Sequence, residues 1–162
     1  MKLQLVNVLK KVGLLCAIVL ATFVTSAQAQ SLSNRVTAQI PFDFTIGNKK
    51  LPAGKYSVGR NRQSSDDVVV SVDDKDGHLK ANHTSMAAAN LDITETAKLV
   101  FHRYGDQYFL YQVWPAGSST GRQFPKSRSE REAERNLAAN PTVGKTNGNI
   151  SVEIVKITAV SQ

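Results

Sequence analysis

Three histidines, a short run of acids and a band of aromatic rings are the residues in this chain with chemistry to offer. Zinc needs three or four converging nitrogen, sulfur or carboxylate ligands. His78 and His83 stand an odd number of positions apart, so on one regular strand they face opposite ways, and His102 is remote in sequence. There is no H-E-x-x-H, and the single cysteine, Cys16, lies far upstream. No metal site is expected. Asp74, Asp76 and Gly77 resemble a fragment of a calcium loop, but in EF-hand register the first and twelfth ligands would be Val72 and His83. Neither supplies the carboxylate oxygens such a loop needs there, and a hairpin turn explains the acids better.

Nucleophilic catalysis requires a serine or cysteine, a base and an orienting acid in contact. None of the serines sits in G-x-S-x-G. Asp43 and His102 could meet on paired strands, but Asp43 alternates with Phe42 and Phe44 and is expected in solvent. No glycine-rich phosphate loop is present, since Gly117 to Gly121 is not followed by Lys-Ser/Thr. An enzyme is not expected, and no cofactor is implied.

Two groups remain as binding candidates. Phe101, Tyr108, Tyr111 and Trp114 would form a small-ligand site if they lined a barrel mouth; the plainer reading is that they fill the core. Arg128, Arg131 and Arg135, with Arg122 and Lys126 nearby, would suit docking to a partner or an anionic envelope polymer. Glu130, Glu132 and Glu134 interleave with them, so a solvated helix with its own ion pairs is the plainer reading.

The elements that must position these residues are mostly strands. Val36 to Ile46 alternates apolar and polar residues without a slip, which predicts one strand with Phe42 and Phe44 on its dry face. Leu51-Pro52-Ala53-Gly54 reads as a turn into a strand at Lys55–Arg60, antiparallel to the first. Asp73 to Gly77 is the strongest hairpin signal, joining Val68–Val72 to His78–Met86. Ala87 to Glu95 reads as a loop or ragged helical turn. A second hairpin turns at Gly105-Asp106 between Ala97–Tyr104 and Gln107–Trp114, and carries most of the rings; it should pack on the first strand. Ser118–Gln123 reads as a connector. Ser127 and Glu130 fit a capping box opening a helix near 128–139, with pairs Arg128–Glu132 and Arg131–Glu134 and a thin stripe of Ala133 and Leu137. Asn140-Pro141 ends it, and Ile150–Val160 closes the chain as a strand. The pattern predicts a single-domain, mainly antiparallel all-β fold. It would be a β-sandwich or partly closed β-barrel of about seven or eight strands with one surface helix.

Residues 1–29 read as a cleaved secretory leader. Lys2, Lys10 and Lys11 precede an uncharged apolar run from Val12 to Val24, and Ala27-Gln28-Ala29 follows. The run is 13 residues long, whereas a spanning helix needs roughly 20. Leu15 before Cys16 argues against a lipobox. Cleavage leaves residues 30–162 without a cysteine. It also leaves 17 basic against 13 acidic side chains, a net charge of +4. That charge aids solubility and gives no sign of a nucleic-acid partner, and no membrane span is expected after the leader. The setting is periplasmic or secreted.

Ile40-Pro41-Phe42-Asp43-Phe44, Leu51 to Val58 (LPAGKYSV), Val100 to Leu110 (VFHRYGDQYFL) and Pro125 to Glu132 (PKSRSERE) span most of the chain after the leader. Together they resemble a family of small exported bacterial proteins of unknown function. The resemblance implies a bacterial envelope or secreted setting and carries no catalytic or binding residues. The expected function is that of an exported, non-enzymatic β-domain with a structural or interaction role, its partner an envelope macromolecule. A small-ligand carrier is the alternative, and a secreted hydrolase a further one.

Overall fold

The structure is a computed structural model describing residues 35–61, 68–139, 145–146, 149–150 and 152–161. All of these belong to one compact unit, Leu32–Gln162. The leader, the helix stop at Asn140-Pro141 and most of the loop after it lie outside the described residues.

The stretch from Val36 to Ile46 keeps its alternation but not its continuity. It forms two strands, β1 (Val36–Ile40) and β2 (Phe44–Ile46), in different sheets. Val36, Ala38, Ile40, Phe44 and Ile46 are buried, Gln39, Pro41 and Asp43 are exposed, and Phe42 is half-buried. The expected single strand is therefore corrected to one that turns a corner. The corner falls where Pro41 has no N–H to give to a ladder.

The first sheet is antiparallel throughout. Its order is β14 (Val160–Ser161), β1, β4 (Gly54–Arg60), β5 (Val69–Asp74) and β6 (Leu79–Thr84). Val36 faces Val58 and Ala38 faces Tyr56, so the apolar rows of β1 and β4 share one face. The β5–β6 hairpin turns as expected, with Gly77 at φ 82° and its N–H donating to Asp74 O at 3.1 Å. The second sheet runs β13 (Glu153–Thr158), β8 (Lys98–Tyr104), β9 (Gln107–Trp114), β10 (Ser118–Gln123) and β7 (Met86–Thr94). A short hairpin of β2 and β3 (Lys49–Leu51) also joins β9, β2 running parallel to it. The pair β11 (Lys145–Thr146) and β12 (Asn149–Ile150) forms its own ladder.

Ser85 and Ala159 make two more corners between the sheets. The Ser85 N–H and Oγ–H both donate to Val68 O, at 2.7 and 2.8 Å. The Ala159 N–H donates to Ala97 O at 2.8 Å. Strands that change sheet at bends let two twisted layers share a core. The result is a sandwich and not a closed barrel. Fourteen strands stand among the described residues. The excess over seven or eight comes partly from these corners, which split long runs. It also comes from strands that the sequence hides.

Two of those hidden strands are β7 and β10, expected as a loop and a connector, which pair with each other. Ala87 faces Arg122 and Ala88 faces Gly121, so backbone hydrogen bonds rather than alternating apolar side chains define the ladder. A Cβ on Gly121 would lie 2.6 Å from Val113 O and 2.7 Å from the Trp114 ring, which explains the glycine.

Phe44, Phe101, Ile40, Ile46, Leu99, Val58, Val70 and Val72 are fully buried in the main core. Each such burial is worth about 1.5–3 kcal/mol. Phe42 stands edge-on to Phe101 at 5.3 Å and stacks on Tyr108 at 3.8 Å, so the second hairpin packs on the first stretch as expected. Helix α1 spans Arg128–Ala139, and Ser127 Oγ accepts from the Glu130 N–H at 3.1 Å as its N-cap. The helix covers the outer face of the second sheet, where Ala133 and Leu137 pack with Tyr104, Phe109 and Val152.

Candidate functional site

Glu130 does not complete the capping box. Its side chain turns away from the helix end into the sheet, where Oε1 accepts from His102 Nδ1 at 2.7 Å and from the Tyr104 hydroxyl at 3.2 Å. His102 and Glu130 are only 8% and 4% exposed. The imidazole stacks on Tyr111 at 3.8 Å. Burial, and then the neighbouring Glu130 charge, push the Tyr104 hydroxyl up to about 12. Lys126 lies 5.9 Å from the Tyr104 ring centre and pairs with Glu134 at 2.6 Å, which raises the ammonium above its ordinary value. The expected Arg131–Glu134 pair is thus replaced by Lys126–Glu134, while Arg131 donates to Lys126 O. A base must be reachable by the proton it removes. This imidazole is shut beneath a helix, and its work is to fasten that helix to β8.

Asp43 stays on the exposed side, as expected, and does not meet His102. It instead accepts from the Ala53 N–H at 3.1 Å and pairs with Lys50 at 3.3 Å. Those contacts, the Ala53 N–H foremost, hold its carboxyl below the usual range. At the β5–β6 turn, Asp74, Asp76 and His78 come within 4.8 Å of one another. Lysines already occupy the acids: Lys80 pairs with Asp74 at 2.8 Å and Lys75 with Asp76 at 2.8 Å. Asp74 also accepts from the Asp76 and His78 N–H groups, and with Lys80 first these hold it well below the carboxylate range.

The four rings do not share one lining. Phe101 faces Leu110 across β8 and β9, and Val100 faces Gln112, so Tyr111 is an extra residue on β9. That bulge leaves Phe101 and Tyr108 on the core side with Phe42, and Tyr111 on the helix side with His102. Trp114 lies opposite Lys98, away from Phe101, and its indole N–H donates to Gln112 at 3.0 Å. An aromatic-lined mouth is therefore corrected to packing on two faces of one sheet. Arg128, Arg131 and Arg135 do share an exposed helix face. Arg128 is paired with Glu132 at 3.0 Å, and Arg135 donates to Arg131 O at 3.3 Å.

Among the described residues, concavities open elsewhere. A shallow hollow of about 480 Å³ lies between the β2–β3 turn and β6, over Ile46, Leu79 and Ala81, with Lys49 and His83 beside it. A second cleft, of about 230 Å³, lies between the two sheets and is lined from both.

Among the described residues, the most exposed large apolar side chain, Leu91, lies on β7 with Ile93 and Met86. Ala89 faces Thr120 and Thr94 faces Ser118, so Asn90 to Ile93 oppose a single residue of β10 and bow outward. Leu91 is wholly exposed, and Ile93 and Met86 are more than half exposed. Sequence reasoning missed this knuckle because a run of alanines carries no periodic signal; Leu91 and Ile93, two apart in a segment without an apolar partner row, were the only hint.

No family model, no curated protein and no solved structure matches this chain. Among the described residues, no helix is long and apolar enough to cross a membrane.

Proposed function

We propose that this chain is an exported, non-enzymatic β-sandwich that serves as an interaction protein of the bacterial envelope or secretome. The observation that carries the reading is the bowed segment of β7, which holds Leu91 and Ile93 out in water. Exposed large apolar side chains cost hydration free energy, and clusters of them mark contact surfaces. The reading is supported also by what the titratable groups do. The buried polar cluster His102–Glu130–Tyr104 is spent on holding a helix, and the turn acids are neutralised by lysines. The leader-like residues 1–29 and the family resemblance are the reasons for the exported setting.

Co-sedimentation of the purified chain, residues 30–162, with isolated bacterial envelopes tests the reading. The wild type is expected to be retained, and the double variant L91K/I93K to remain in the supernatant with its fold intact. Equal retention of both, or none of the wild type, contradicts it.

A further inference from the structure

The cleft between the sheets has an unusual wall. In β10, Arg122 stands opposite Val113 and Ala87. Val113 is buried in the main core, so this cross-strand row faces the other sheet. In β4, Arg60 stands opposite Val70 and follows Tyr56 and Val58 at two-residue steps; those three are core residues. Two arginines, one from each sheet, therefore continue inward-facing rows to the rim of the sandwich, Arg60 exposed and Arg122 half-buried, and both line the 230 Å³ cleft. Arg60 has further contacts of its own. Arg122 makes no side-chain hydrogen bond or ion pair among the described residues, although it is half-buried. Among the described residues no acid lines the cleft; its other walls include Val70, Val113, Pro115 and Ala87.

A half-buried guanidinium against apolar walls without a counter-charge is partly desolvated, and a bound anion offsets that cost. The planar fork of arginine matches a carboxylate with two parallel N–H···O bonds. We propose that this cleft binds a small monoanion with a carboxylate head and a short hydrocarbon tail, the head on Arg122 and the tail against Val70, Val113 and Pro115. At interior packing density, 230 Å³ holds roughly ten non-hydrogen atoms. That is the size of an eight-carbon carboxylate and far below a membrane lipid, so the occupant is a free small molecule. The cleft is separate from the Leu91/Ile93 knuckle, and either can fail without the other.

Calorimetric titration of residues 30–162 with octanoate tests the proposal, with octanol as the uncharged tail and acetate as the tailless anion. Octanoate binds saturably at one site, and octanol and acetate each bind at least tenfold more weakly. R122Q weakens octanoate at least tenfold while the emission of Trp114, the single tryptophan, stays as in the wild type. Should R122Q fail to fold, A87L serves in its place: it fills the cleft, keeps both arginines and abolishes binding. L91K leaves octanoate affinity unchanged. Absence of binding by the wild type, equal affinity for octanoate and octanol, or undiminished binding by folded R122Q or A87L overturns the proposal.

Discussion

His102 Nδ1 and Glu130 Oε1 meet at 2.7 Å across the boundary between β8 and α1, and they are 28 residues apart in sequence. The contact converts a helix with a thin apolar stripe into a fixed part of the fold. Removing one partner leaves the other unsatisfied in a buried site, which costs about 1–3 kcal/mol, more for a charged group. Glu130→Ala is expected to lose about 3 kcal/mol in urea unfolding followed by Trp114 emission. Glu130→Gln keeps an acceptor for the imidazole and should lose markedly less. Equal losses would show that a neutral hydrogen bond at this position does not hold the helix.

Tyr104 gives alkaline sensitivity of known sign. Its folded value, about 12, lies above the ordinary 10. The stabilisation is therefore complete below pH 10 and lost as pH rises through 12. A tyrosinate absorbance titration should show a phenol ionising near 12 that disappears in Tyr104→Phe, beside the upward shift that burial gives Tyr56, and that variant should lose less of its stability between pH 10 and 12 than the wild type.

Asp74 works in the opposite direction. Lys80 and two backbone N–H groups depress its folded value, so its contribution is present above the unfolded value and is lost progressively as pH falls from there through the depressed folded value. The stability gap between wild type and Asp74→Asn should be open at pH 6 and close on acidification below about pH 4, the ordinary aspartate range. A gap that widens with acid would reverse the assignment.

Arg35 is buried at the start of β1 and donates to Ser57 Oγ, Ser57 O, Arg60 O, Ser71 Oγ and Asp73 Oδ2. It clamps β1, β4 and β5 together. A lysine has the charge without the fork, so Arg35→Lys is expected to cost more than half of what Arg35→Ala costs, with the alanine variant near 3 kcal/mol by the rule for a broken buried pair. Chemical denaturation of the two variants decides it.

How far the fold could be read from the sequence follows from what sets each element. The helix bounds, the turns at Gly77 and Gly105 and the alternation of Val36 to Ile46 are local, written in caps, glycines and period-two spacing. The corner at Pro41 was half-visible: a missing N–H marks an edge or a bend, but not which sheet follows. β7 and β10 were invisible because Ala, Ser and Gly rows pair through their backbones and bury little. Glu130 fitted a capping box by spacing, and only the sheet beneath could reveal that His102 would capture its carboxylate. The ring band dissolved because one extra residue, Tyr111, put its neighbours on different faces. Arg122 looked like part of a basic helix cluster until the register of β10 turned it inward.

The knuckle on β7 is tested most directly by placing a photo-crosslinking side chain at position 91 in cells that export the protein, with position 75 at the distant β5–β6 turn as control. An interaction protein that uses Leu91 is expected to give a discrete crosslinked species from position 91 and none from position 75. No adduct from position 91, or the same pattern from both positions, would contradict it.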